Sequence, residues 1–445
     1  MSVALIDLAA DLVARARARG ADAADAVAVN RFETEVAVQE GRVEKLEQAE
    51  SREAGLRVFV GESSAVVSGS VLDAEGLDRL AAMAISMASA APPDPFAGLA
   101  PPQPSAPPPT GLDLAAPDLP GAATLEDWSR AAEAAALAVP GVTRSSGSGA
   151  SAARREIALV TSAGFSGSFI RTSTALSMSA IAGEGTAMER DYEYTSAIHP
   201  ADLKPPEEVG RIAGERAVRR LHPRKIRSQA APVVYDRRVA ASLVGHLVSA
   251  VLGSAIARKS SYLLDALHTP VFPAGVDIID DPHLPRGHAS RPFDGEGIAG
   301  RKLKLIDSGT LMSWLLDLRS ARQLGLQSTG HAARSTSSPP GPSSTNVYMA
   351  AGSVSPDALI AGLKSGVYVT ELIGMGVNMV TGDYSRGAAG FWIENGELAY
   401  PVAEITIAGN LRSMFAHLTP ADDLEFRGST NAPTVCVEGM TIAGA

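Results

Sequence analysis

Apolar positions first recur at helical spacing in Leu5, Leu8, Leu12 and Ala16, with Arg15, Arg17 and Arg19 close behind. This predicts an amphipathic helix over 3–19 with basic residues at its negative, C-terminal pole. The period shortens to two in Val27-Ala28-Val29 and in Val36-Ala37-Val38, which predicts two strands. Leu56-Arg57-Val58-Phe59-Val60 and Ala65-Val66-Val67 flank Gly61-Glu62-Ser63-Ser64, a hairpin signal. A helix from about Asp73 to Ala90 closes this first unit. A second unit starts at Thr124-Leu125-Glu126-Asp127, a helix-start pattern with an acidic third position. Its helix is expected to run to Val139, followed by strands near 155–161 and 166–183 and a charged helix near 207–221. Helix, strands, helix occurs twice, which suggests a pseudo-repeat.

Between the units, residues 92–120 contain eleven prolines. Proline fixes φ and removes an amide donor, so the stretch is expected to be an extended linker without helix or central strand. After residue 225 the pattern becomes one of short strands and glycine turns. Lys302-Leu303-Lys304-Leu305-Ile306 precedes Asp307-Ser308-Gly309, and Phe391-Trp392-Ile393 precedes Glu394-Asn395-Gly396, an Asn-Gly hairpin signal. Ser355-Pro356-Asp357 predicts a short capped helix. The fold class is therefore α+β. Two small α/β units (1–91 and 121–225) and a Pro-rich linker (92–120) precede a β-rich C-terminal domain (226–445) that holds a buried helix.

That helix, 240–256, is the informative segment. Leu243, Leu247 and Val251 form an apolar row, while Gly245, Ser249 and Gly253 form a small face. Local pattern predicts a core helix packed closely against another backbone through the small face. His246 is its one histidine, and no His, Cys or Glu stands at the third, fourth or fifth residue after it, so it lacks the company a zinc ligand needs. No histidine of the chain is followed by Glu, which excludes HExxH and HExxxH. Asp280, Asp281, His283 and His288 share a proline-broken loop that reads either as a metal site or, more simply, as a polar loop. Ser166 and Ser343 lie in glycine-containing loops without a GxSxG, and no phosphate-binding GxxxxGK[ST] occurs. Gly374, Gly376, Asn378, Gly382, Asp383 and Arg386 mark irregular backbone between strands, either a plain turn or a peptide-binding or interface segment.

Composition narrows the classes further. A net charge of −10 disfavours binding to phosphate backbones, so no nucleic-acid partner is expected. Only 5% of residues are aromatic, so the cores must rest on Ala, Val, Leu and Ile. The single cysteine, Cys436, rules out an intrachain disulfide and a cysteine zinc cluster. It sits between Val435 and Val437 as in a buried strand. No apolar run approaches ~20 residues, the length of a membrane span. Asp7 and Asp11 interrupt the first apolar run, so no signal peptide is expected. A cytoplasmic location fits all of this.

Several long stretches together resemble the TldD/PmbA (TldE) family, historically called modulators of DNA gyrase. They are GHLVSAVLGSAIARKSS at 245–261, SRPFDGEGI at 290–298, SARQLGLQSTGHA at 320–332, TNVYMAAG at 345–352, GVYVTELIGMGVNMVTGDYSRGAAGFWIENGE at 366–397 and GMTIAG at 439–444. The resemblance implies two branches. TldD-like chains are zinc peptidases with HExxxH on a helix and a late cysteine as third ligand; PmbA-like chains lack these and pair with a TldD chain. Aligned on Ala257-Arg258-Lys259-Ser260, Gly245, His246 and Ala250 take the places of the first His, the Glu and the second His. The late cysteine falls near Ala432, four residues before Cys436. By this resemblance the chain has no catalytic or metal-ligating residue. It is expected to be the non-catalytic subunit of a peptidase complex, with zinc in the TldD-like partner and an extended, small or unfolded peptide as substrate. A homodimer is expected when the chain is alone. Two alternatives stand beside this: a stand-alone metal-dependent peptidase with a non-standard site, and a homodimeric regulatory or structural protein.

Overall fold

A computed structural model describes residues 4–102 and 110–444. The N-terminal half is built around one six-stranded antiparallel sheet. In chain order its elements are α1 (Leu5–Ala18), β1 (Ala23–Gln39), β2 (Arg42–Val60), β3 (Ser63–Gly69) and α2 (Ala74–Ala90), then α3 (Ala122–Leu137), β4 (Val142–Thr161), β5 (Ser166–Ala182), β6 (Glu189–Ala197) and α4 (Pro206–Arg219). The strand order is β3-β2-β1-β4-β5-β6, so the two expected units meet at the β1–β4 pairing and share one sheet. Each contributes helix, three strands and helix in the same order.

The expected strands 27–29 and 36–38 are parts of one strand, β1. The first half of β2 is exposed and carries no apolar alternation, because there the ladder holds the chain, whereas the first half of β4 buries Ser145, Ser148, Ala150 and Ala152, side chains too small or polar to read as an apolar pattern. Strand β6 likewise escaped the reading of the sequence. Helix α3 begins three residues early, with Gly121 rather than Thr124 at its N-cap and no side-chain cap.

Alternation along β1 sorts the two faces of the sheet. Ala24, Ala26 and Ala28 pack with α1 and α2, and Val36 and Val38 with α3 and α4. Alanine and glycine let these elements approach closely: a Cβ on Gly210 of α4 would stand 1.9 Å from the Ala132 carbonyl of α3. That is how so aromatic-poor a chain fills its core. The described parts of the Pro-rich segment, 92–102 and 110–120, hold no helix or strand; residues 103–109 lie outside the described residues. The segment docks instead, with Leu112, Leu114 and Ala116 buried, Arg286 N–H donating to the Leu112 carbonyl, and the Phe96 and Leu99 carbonyls receiving the Arg322 guanidinium.

The C-terminal domain adds β7 (Gln229–Tyr235), α5 (Arg237–Val251), α6 (Gly253–Ala257), β8 (Ser365–Ile373), β9 (Asp383–Glu394), β10 (Glu397–Asn410) and β11 (Val435–Ala443). The order β10-β9-β8-β7-β11 closes on itself through a β10–β11 pairing. The inner residues of these strands form one core with α5. A five-stranded sheet that includes Ile278–Asp280, Leu303–Asp307 and Val347–Met349 abuts that core. The β9–β10 turn has Asn395 at φ 51° and Gly396 at φ 85°, the left-handed pair that a type I′ turn requires. Ser355 caps Pro356–Ala361 through the Ala358 amide.

The other face of the N-terminal sheet meets the C-terminal domain across a buried ionic cluster. Asp25 accepts from Arg57 and from Arg334, the latter at 2.6 Å. Burial would raise the Asp25 pKa, but these two guanidiniums hold it below the usual carboxylate range. Glu296, close by, is pushed up to about 8, first by burial and then by Asp294. Its folded pKa lies above the unfolded one, so the folded state keeps a proton that the unfolded chain releases. Stability from this group is present below about pH 4.5 and is lost as pH rises towards 8. Glu296→Gln should therefore gain stability over the parent between those values, by roughly 2–4 kcal/mol at pH 8. Parallel denaturation curves across that window would contradict this assignment.

Candidate functional site

Helix α5 starts at Asp236, whose carboxylate accepts from the Arg238 amide and from the Tyr368 hydroxyl at 2.7 Å. Arg238 in turn pairs with Asp191 of β6 at 2.9 Å, which fixes the start of α5 against the N-terminal sheet. Ala240, Leu243, Val244, Leu247, Ala250 and Val251 face the core. The helix stops at Val251, not at 256. Leu252 is extended and bridges Leu315, with the Gly253 amide on the Leu315 carbonyl at 2.8 Å. Gly253 is required there, because a Cβ would lie 2.4 Å from Ser320 Oγ and 2.5 Å from Leu316 Cδ2.

The small face is not a packing face along its length, contrary to the sequence pattern. No atom lies within 4 Å of a Cβ built on Gly245, and Ser249 is exposed, its hydroxyl donating to the Gly245 carbonyl. Beside this open space stands His246, its ring edge-on to Tyr384 at 5.9 Å. Its Nε2 is buried without a hydrogen-bond partner, and burial, then the charge of Arg386, pulls its pKa down to about 4. It is neutral near pH 7.

Gly245 and Ala250 bring no ligating side chain to this place. Ala250 is fully buried, and its carbonyl accepts from Ser261 Oγ at 2.7 Å. Ala432 is also buried. Cys436 lies on the other face of its sheet from α5, packed with Val234, Ile360 and Ile393. Burial, then Glu438, pushes its thiol up to about 11, so it is a buried apolar residue in practice. Among the described residues no group of three or more His, Cys, Asp or Glu is arranged to hold a metal. In the 280–288 loop, Asp280 is taken up by His331 at 3.1 Å and by the Thr345 amide at 2.7 Å. Asp281 caps the His283 amide, and His288 Nε2 meets the Ser196 carbonyl. The loop is a hydrogen-bonded joint.

The hairpin between β8 and β9 reaches the same place as α5. Gly374 and Gly382 have φ of 77° and 84°, and a Cβ on Gly376 would stand 2.0 Å from the Ser385 carbonyl. Asn378 Oδ1 accepts from the Val380 and Thr381 amides, and Asp383 accepts from Thr381 Oγ1 at 2.6 Å and Asn410 Nδ2 at 3.1 Å. Arg386 Nε reaches the Ile373 carbonyl at 3.4 Å. This tightly tied loop presents apolar side chains outward: Met375 is 87% exposed, Val380 59% and Ile373 57%. Both hairpin strands are paired on each side, β8 with β7 and β9, and β9 with β8 and β10. The pairing of β8 with β7 covers only Val367–Val369, and the accessible feature of the segment is its apolar tip. Tyr384, absent from the candidates read from sequence, joins His246 to this hairpin. Its distance along the chain left no local signal.

Comparison with known proteins gives the class first. Residues 24–88, 116–221 and 228–444 match, in turn, domain 1, the central domain and the C-terminal domain of the PmbA/TldA metallopeptidases. The chain belongs to the PmbA/TldD family. It is 37% identical to metalloprotease PmbA of Escherichia coli O157:H7, over 92% of this chain and 89% of that one. It is 34% identical to the PmbA homologue of Haemophilus influenzae, over 90% and 88%. A suspected modulator of DNA gyrase from Bacteroides thetaiotaomicron superposes with a TM-score of 0.91 at 27% identity, covering 99% of this chain and 98% of the other. TldE from Thermococcus kodakarensis shares the fold, with a TM-score of 0.87 at 18% identity over 98% and 100%.

Proposed function

We propose that this chain is the non-catalytic, PmbA/TldE-like subunit of a cytoplasmic peptidase complex, paired with a TldD-like chain that carries the zinc. The complex would degrade or process small or unfolded peptides held in extended form. The observation that carries the reading is the state of helix α5: Gly245 and Ala250 offer no lone pair where the resemblance calls for ligands, and Ala250 is sealed in the core. The exposed Met375–Val380 tip beside it supports a role in assembly, since large apolar side chains grouped on a surface mark interaction sites. In the 280–288 loop the carboxylates and His288 are engaged within the protein, and His283, whose Nε2 has no partner, belongs to no group of three or more ligands among the described residues. The test is to purify the chain without a metal-affinity tag, measure its zinc, and follow sedimentation and peptide hydrolysis with and without a TldD-like chain.

A further inference from the structure

Arginine cannot shed its charge by losing a proton, so a buried guanidinium needs an anion or a full set of acceptors. Two arginines at the junction of the sheet and the C-terminal domain are left short of acceptors. Arg291 makes no side-chain hydrogen bond or ion pair among the described residues, and its Nε and Nη2 are buried without partners. Arg334, whose side chain is 2% exposed, spends Nη1 on Asp25, while its Nε and Nη2 are likewise buried and unpartnered. Asp25 already serves Arg57. Both arginines line a partly open cavity of about 140 Å³, several times the share of one water molecule, ~30 Å³. Val27, Ile157, Leu159, Phe169 and Phe293 supply its apolar wall.

Nearby charges add to the positive field. Arg31, Arg155 and Arg171 stand side by side across β1, β4 and β5 on the same face of the sheet. Arg171 is pulled down to about 10 by burial and then by Arg155 and Arg291. Asp294 also borders the cavity, but backbone amides occupy it: Glu296 and Ile298 donate to Oδ1 at 2.9 Å and Ala332 to Oδ2 at 3.0 Å.

We propose that this cavity is a binding site for a carboxylate bearing a short apolar group, held between the free edges of Arg291 and Arg334 with its apolar group against Phe169, Phe293 and the aliphatic wall. Paired guanidinium edges fit a planar carboxylate. Asp294, the one carboxylate at the cavity, is already engaged by three backbone amides, so the ligand is expected without a free α-amino group. Two sources share this chemistry: the last residue of a peptide and a small branched carboxylic acid. The inference stands on this chain alone and does not depend on its pairing with a TldD-like subunit.

The experiment is calorimetry and thermal-shift measurement on the full chain with N-acetyl-leucine, isovalerate, N-acetyl-leucinamide and inorganic phosphate. One or both carboxylates should bind and raise the melting temperature, while the amide and phosphate should not. Tighter N-acetyl-leucine identifies a peptide terminus, and tighter isovalerate a small acid. Arg291→Gln, which breaks no internal bond, should weaken carboxylate binding by about tenfold or more while the unliganded melting temperature holds or rises. The proposal is overturned if neither carboxylate binds, if the amide or phosphate binds as well, or if Arg291→Gln binds like the parent.

Discussion

Met375→Asp should weaken association with a TldD-like chain by about a hundredfold, the loss of a strong interface hot spot, without changing the melting temperature of the isolated chain. The side chain is almost wholly exposed and supports no core, so its replacement removes an apolar anchor and costs the fold nothing. The loop beneath it is held by its own backbone bonds, among them Ser385 to Gly376 at 2.7 Å and Asn378 to Asp383 at 2.8 Å. A charge at 375 therefore tests the surface and not the hairpin. Sedimentation of the variant with its partner at micromolar concentration reads the result; unchanged association would place the interface elsewhere.

Grafting the missing ligands should fail in an informative way. Gly245→His has open room, and His246→Glu replaces a half-buried neutral ring. Ala250→His forces an imidazole into a fully buried position and should cost about 1–3 kcal/mol by overpacking. A third ligand is still absent, because Ala432 cannot supply one and Cys436 faces away. The triple variant should be less stable, bind zinc weakly and hydrolyse no unfolded peptide. A stable variant with stoichiometric zinc and full activity would show that the fold hides another ligand.

The sequence was most legible where burial and turn chemistry coincide. The 3.6-residue rows of α1, α2 and α4, the Asn395-Gly396 turn and the Ser355 cap all carry their cause locally. It was least legible where the strand buries no large apolar side chain, as in 42–53 and 143–154. There the side chains are charged or small and the ladder to β1 supplies the order. The small face of α5 misled for a related reason: small residues allow close packing but equally line open space, and only Gly253 is crowded. Family resemblance, not periodicity, marked Gly245, His246 and Ala250. The buried Asp280–His331 pair and the His246–Tyr384 contact join residues far apart in the chain, which no local pattern reports.

The central claim is that this chain completes a peptidase without supplying its metal. The most direct measurement is hydrolysis of an unfolded peptide by the purified chain, by a TldD-like chain and by their mixture, with zinc quantified in each. The account predicts no zinc and no hydrolysis for this chain alone, cosedimentation in the mixture, and activity there that survives His246→Ala in this chain. Stoichiometric zinc and hydrolysis by this chain alone, both abolished by His246→Ala, would contradict it.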